Sequence, residues 1–314
     1  MMIAAVLDSN YSDSWELSTT FSPYKTMLRL LFCIGVSALL RIEYLVAAAI
    51  VASFAPDWSQ NKVRIFSVRV VSFTHATISS LGCLCSLLSD PNYFKEPYDY
   101  RTDSAQYVFL FSMGYFIYDL IDMYIHGEAP NSKEYFVHHS LVITAFTVIL
   151  ITGKLFGFAM IGLLVEVQTI FLHLRTMVRL AGCSKRGTTA YNALINANML
   201  CLFLFRHIPV TYLLYVMLVK DEKTPLVLRT FLIGGLSFLS YHNTHLTISM
   251  IKADGFFGYE MQALDEDSVD PLVEENGLEG PFSTCFLRVV KKNSRMIYQV
   301  IECIRNFLLF FDSV

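Results

Sequence analysis

Charged side chains are what this sequence has least of: 16% of its 314 residues, against about 25% in an ordinary soluble domain. With 54% hydrophobic residues and so little charge, the chain reads as a membrane protein. A net charge of −3 supplies no clustered basic surface, which argues against nucleic acid as a partner. The seven cysteines, at 33, 83, 85, 183, 201, 285 and 303, include no metal-type CxxC spacing and lie mostly in apolar segments, so a disulfide framework is not expected. There is no Gly-rich phosphate loop, GxSxG elbow or HExxH motif, which leaves nucleotide binding, serine hydrolysis and zincin chemistry without support. The eight histidines do not form the HxxxH and HxxHH boxes of a di-iron desaturase.

What the chain has instead is apolar runs long enough to cross a bilayer core, which takes about 20 helical residues. Seven candidate spans cover residues 30–54, 65–88, 105–124, 135–151, 155–178, 192–219 and 226–251. The expected fold is all-α, a polytopic integral membrane helix bundle of about seven transmembrane helices. Only Thr152, Gly153 and Lys154 separate the fourth and fifth spans, so these two should form an antiparallel hairpin.

Arg179, Lys185 and Arg186 in one loop and Lys62 and Arg64 in another place both loops on the cytoplasmic side, which puts the N-terminus outside. The sequon Asn10-Tyr11-Ser12 falls on that outer side. The opening residues lack the basic start and small-residue cleavage site of a secretory signal. The organisation expected is an extracellular segment, 1–29, a membrane domain, 30–251, and a cytoplasmic tail, 252–314. The tail joins an acidic linker, DEDSVDPLVEENGLEGP, to a basic and apolar segment suited to an anionic leaflet.

An ionisable side chain in hydrocarbon is expensive unless it is partnered or faces water, so each one inside a span is a site candidate. Glu166 and Arg206 fall halfway along the fifth and sixth spans and should face each other, directly or through a bound headgroup. Asp119 and Asp122 share a stripe near the inner end of the third span, and His138 and His139 begin the fourth. His173 and His242 should lie at a similar depth, with Glu166 about 10 Å deeper. Imidazole and carboxylate together suit either general acid–base catalysis or metal binding, and the aspartate and histidine pairs make most sense as walls of one lipid-headgroup site just inside the cytoplasmic interface. Pro209 should kink the sixth span just beyond Arg206 and His207.

GYFIYDLIDM, the short polar loop after it, EYFVHHS and LLVEVQTIFLHLRTMVRL together resemble the TLC domain shared by translocating-chain-associated membrane proteins and Lag-type ceramide synthases. The likeness extends to VRIFSVRVVSFTHATISS and YNALINANMLCLFLFRHIP, and covers roughly residues 30–251. LVEVxxxFLHLR is similar in particular to the calfacilitin branch, that of the TLC domain-containing proteins 1 and 2. The resemblance implies a TLC core of six helices and a plasma-membrane protein that limits polyunsaturated chains in phospholipids and so restrains membrane fluidity, with the endoplasmic reticulum as the alternative location. The implied partner is a membrane phospholipid or fatty acyl group.

Ceramide synthases of this family transfer an acyl group from acyl-CoA using a histidine pair and a downstream aspartate pair. This chain keeps His138 and His139 and carries Glu166 and Thr169 at the aspartate positions. The remaining carboxylate keeps an acyl-CoA-dependent lipid acyltransferase as a second reading, and a non-catalytic modulator of a membrane partner is a third. On these readings His138, His139 and Glu166 are the candidate catalytic residues. Asp119, Asp122, His173, Arg206 and His242 are the candidate lipid-binding residues, and neither metal nor cofactor is expected.

Overall fold

A computed structural model describes residues 23–128, 132–183 and 189–258. Most of the expected outer segment, 1–29, and nearly all of the tail, including its acidic and basic stretches, lie outside the described residues. The described chain is helical, with no strand. Its elements are α1 (Pro23–Phe54), α2 (Gln60–Ser89), the single turn α3 (Asn92–Lys95), α4 (Asp103–Ile125), α5 (Lys133–Thr152), α6 (Phe156–Leu163), α7 (Val165–Leu180), α8 (Thr189–Leu202), α9 (Ile208–Tyr215) and α10 (Leu226–Ala253). Among the described residues six helical stretches are long and apolar enough to cross a membrane. The seventh expected span is the 28-residue α10, whose C-terminal half carries His242, Asn243, Thr244 and His245.

These helices form where they do for local reasons. The Ser59 hydroxyl caps α2 by accepting from the Lys62 amide at 3.2 Å, and Thr102 caps α4 by accepting from the Ala105 amide at 3.3 Å. Inside the spans, hydroxyls turn back onto the carbonyl four residues earlier, as Ser72 does on Val68 and Thr147 on Ile143. That geometry satisfies a polar group where lipid offers it no partner.

Helices α1 and α4 run parallel in a fixed register. Arg29 donates to Gln106, Cys33 to the Leu110 carbonyl and Ser37 to the Gly114 carbonyl, a constant offset of 77 residues. Gly114 permits this approach, because a Cβ there would lie 2.8 Å from Val36 Cβ.

The α5–α6 hairpin is as expected, and the segment before α4 packs beneath it. The Leu155 amide donates to the Tyr98 carbonyl and the Gly157 amide to the Pro97 carbonyl. A Cβ on Gly157 would sit 2.4 Å from the Tyr93 carbonyl oxygen, so only glycine fits.

Two spans are not continuous α-helices. The fifth span turns tightly at Leu164, whose amide donates to the Ile161 carbonyl while the Val167 amide donates to Leu164. That turn starts a fresh helix with Glu166 in its first turn. The sixth span widens into π-helical turns at Phe203–His207 and Val216–Lys220. Pro209 was expected to kink the helix after Arg206, and the adjustment instead precedes the proline. The Ile208 amide reaches the Phe203 carbonyl, and the extra residue in the turn turns Arg206 relative to α9.

Candidate functional site

Four helices contribute one stripe each to a cavity of about 160 Å³. The stripes are His138 to Ile149 on α5, Leu155 to Glu166 through α6, Arg206 to Met217 through α9, and Phe231 to Asn243 on α10. Each covers 12 or 13 residues, a rise of about 16 to 18 Å along the helix. The polar residues His138, Glu166, Arg206 and Asn243 are all at one end, the one toward the start of α5 and the end of α7. The rest of the wall is apolar, with Val142, Phe146, Phe158, Val210 and Leu232 among its residues. This alignment follows from antiparallel packing of stripes whose polar residue comes first in two, His138 and Arg206, and last in the other two, Glu166 and Asn243.

At the polar end, an Arg206 Nη atom donates to Thr169 Oγ1 at 2.9 Å, and the other lies 3.5 Å from Asn243 Oδ1. Glu166 and Arg206 border the same cavity and interact electrostatically, but no oxygen of Glu166 comes within 4 Å of a guanidinium nitrogen. Glu166 is buried, and its Oε2 lies 3.8 Å from His75 Nδ1. His75 is fully buried, stacked on Tyr115 at a centroid distance of 3.8 Å.

His139 Nδ1 approaches Asp119 Oδ2 to 2.9 Å without hydrogen-bond alignment. His138 stacks on His242 with centroids 6.0 Å apart, and His242 Nδ1 lies 3.2 Å from Glu134 Oε2. Both ring nitrogens of His75, Nδ1 of His138 and of His173, and Nε of Arg206 are buried without a hydrogen-bond partner. Such atoms are costly in an apolar interior and are suited to receive a polar ligand group.

The structure departs from the expected layer in three ways. Asp119, Asp122, His139 and His242 are not part of the cavity wall, and Asp122 instead holds Arg41 at 3.2 Å, Arg64 at 3.1 Å and His126 at 3.3 Å, tying α1, α2 and α4 together. Three residues apart on one helix, Asp119 and Asp122 reach different neighbours. Glu166, expected about 10 Å deeper than the histidine pair, lines the cavity with His138 and interacts electrostatically with His139. His173 is buried and interacts with His75, His139 and Arg69 from outside the cavity wall.

Sequence reasoning missed Asn243, Glu134 and the contact between His75 and Glu166. Asn243 had a signal, a second polar residue beside His242 in a membrane helix. Glu134 had none, since a carboxylate in the first turn of a helix is ordinary. Among the described residues no group of three His, Cys, Asp or Glu side chains could hold a metal ion.

Comparison with known proteins gives a consistent result. The family profile of the TLC domain matches residues 65–252. TLC domain-containing protein 1 of Gallus gallus is 35% identical over 144 residues, covering 46% of this chain and 56% of the relative. TLC domain-containing protein 2 of Danio rerio is 28% identical over 197 residues, covering 63% of this chain and 77% of the relative. TLC domain-containing protein 1 of Homo sapiens is 33% identical over 171 residues, or 54% and 67% of the two chains. The aligned part of the chain thus spans between about half and three quarters of these relatives' lengths. No solved structure matches.

Proposed function

Because the chain belongs to the TLC domain family, we propose that it binds an acyl chain of a membrane phospholipid in the four-helix cavity. In doing so it regulates phospholipid acyl-chain composition at the plasma membrane, limiting polyunsaturated chains and restraining fluidity. The observation that carries this reading is the gradient of polarity along the cavity, from a ring of His138, Glu166, Arg206 and Asn243 to an apolar floor of Ile149, Leu155, Met217 and Phe231. A length of about 16 Å suits most of a long-chain acyl tail. Arg206 and His138 are the groups suited to donate to an ester carbonyl or phosphate oxygen, and Glu166 limits the excess positive charge around them.

The test uses the purified full chain in nanodiscs of mixed phospholipids, extracted with mild detergent and analysed for retained lipid by mass spectrometry. The reading requires stoichiometric retention of an acyl lipid and a shift of cellular phospholipids toward polyunsaturated chains when the protein is removed. Retention no greater than that of an unrelated helical membrane protein would refute it.

The approach of Asp119 to His139 favours a second reading, acyl transfer. There, His139 would take the proton from an acceptor hydroxyl or amine as that group attacks the acyl-CoA thioester, and the departing CoA thiolate would carry a proton away. Release of free CoA by wild-type protein, lost in the His138→Ala/His139→Ala double variant, would establish this reading. Lipid retention without CoA release would leave binding alone.

A further inference from the structure

The walls of the cavity meet at seams that differ in how they are tied. Between α7 and the sixth span, Arg206 donates to Thr169 at the polar ring, and further along a Cβ on Gly162 would touch Leu213 Cδ1 at 3.7 Å. The sixth span holds α10 at both ends. His207 Nε2 lies 2.8 Å from Thr247 Oγ1, and Arg229 donates to the Met217 carbonyl at 2.7 Å and to the Leu218 carbonyl at 3.0 Å. Helices α5 and α6 are joined by the chain itself through the turn at Gly153.

The seam between α5 and α10 is different. Among the described residues, every hydrogen bond and ion pair across it involves one side chain, Glu134, whose Oε2 lies 3.2 Å from His242 Nδ1 and 3.6 Å from His245 Nδ1. The ring contacts of His242 with Tyr135 at 5.1 Å and with His138 at 6.0 Å gather at the same polar end. Away from that end the packing thins: no side chain of residues 140–145 on α5 or 229–241 on α10 is fully buried. Ala145 and Gly235 border the cavity from the two sides of this stretch, seven residues from His138 and eight from Asn243, so both fall about 10 to 12 Å from the ring. A Cβ on Gly235 or on its neighbour Gly234 would meet nothing within 4 Å.

A ligand with a long apolar tail leaves the bilayer for water only at a cost that grows with every exposed methylene. A sideways path avoids that cost. The tail slides between Ala145 and Gly235, where there is least to displace, and the backbone groups of both helices stay bonded within their own helices. Only the headgroup then has to part Glu134 from the two histidines. None of these three residues lines the cavity, so their bridge acts on passage and not on the bound ligand. We infer that the cavity is filled sideways from the bilayer through the seam between α5 and α10, and that the bridge from Glu134 to His242 and His245 is the latch on this portal. The inference rests on the acyl-binding reading above and adds to it the route of entry and its control.

The test loads the purified full chain in nanodiscs with acyl-deuterated palmitoyl-oleoyl phosphatidylcholine, mixes it with excess unlabelled liposomes, and follows the label retained after a mild detergent wash by mass spectrometry. The reverse experiment measures loading. A looser portal speeds entry and exit by the same factor, whereas a lost ligand contact speeds exit alone. Glu134→Gln should shorten both half-times by about twofold to tenfold, the range spanned by one hydrogen bond of ordinary net strength. Thr247→Val, which breaks the bond to His207 at the other edge of α10, should leave both at wild-type values. With exposed Cys85 replaced by serine, Glu134→Cys/His245→Cys closed by a short thiol-reactive bridge should nearly stop exchange, and reductant should restore it. Unchanged half-times in Glu134→Gln, faster exit without faster entry, equal acceleration by Thr247→Val, or undiminished exchange in the bridged protein overturns the inference while leaving acyl binding standing. If the double variant does not bridge, the comparison of Glu134→Gln with Thr247→Val decides alone. Retention of no lipid at all overturns both.

Discussion

At the scale of single residues, Arg206 should matter through its hydrogen bonds and not its charge alone. Arg206→Met removes the partner of Thr169 and leaves buried Glu166 without its cationic neighbour. Losing a charge-assisted hydrogen bond costs about 1.5 to 3 kcal/mol, so retained lipid should fall roughly tenfold to a hundredfold, with Arg206→Lys recovering part. Mass spectrometry of washed protein reads this directly.

A second residue-scale expectation lies away from the cavity. Arg175 forms a forked pair with Asp254, bonded from Nε and Nη2 at 2.6 to 2.9 Å with both side chains buried. Arg175→Met leaves the carboxylate in the interior and should cost about 3 to 5 kcal/mol, seen as a lower melting temperature in detergent. Arg175→Met/Asp254→Leu should recover much of that loss. The sequence flagged Glu166 and Arg206 because ionisable residues stand out in apolar runs. It could not separate Asp119 from Asp122, since spacing on one helix says nothing about which neighbours each will find.

At the scale of elements, apolar run length alone placed every expected span within several residues of an observed helix, with the three-residue connection of the hairpin as expected. The break at Leu164 was not legible, because no proline lies there and its cause is how α6 and α7 each pack. The π turn before Pro209 was half legible: the proline announced a disturbance, but where the backbone absorbs it depends on the carbonyls available upstream. Pro209→Ala should let the span revert toward a regular helix, rotate Arg206 off the cavity and reduce lipid retention with little change in melting temperature.

Gly157→Val, by contrast, drives side-chain atoms into the Tyr93 carbonyl and Pro97. It should lower stability by about 1 to 3 kcal/mol or more, measured by fluorescence-detected thermal unfolding. The same segment carries a pH dependence. Burial and then the hydrogen bond to Asp221 push the Tyr98 phenol above its ordinary range. Its contribution is complete below the ordinary phenol value of about 10 and is lost as pH rises through the raised one. Melting temperature should therefore fall above about pH 10 in the wild type, and this component of the fall should vanish in Tyr98→Phe.

At the scale of the whole molecule, loop charge predicts an outer N-terminus, and the parallel register of α1 and α4 fits a chain that crosses an odd number of times between them. Endoglycosidase treatment of protein from a glycosylating host should shift its mobility through Asn10, and Asn10→Gln should remove the shift. Helix α1 turns a broad surface away from the bundle, with Leu30, Leu31, Ile34, Leu39, Leu45 and Ile50 exposed around the half-exposed Arg41. The Arg41 guanidinium bends back to Asp122 at 3.2 Å, so its charge is drawn to the bundle and hydrocarbon meets the apolar side chains on either side of it.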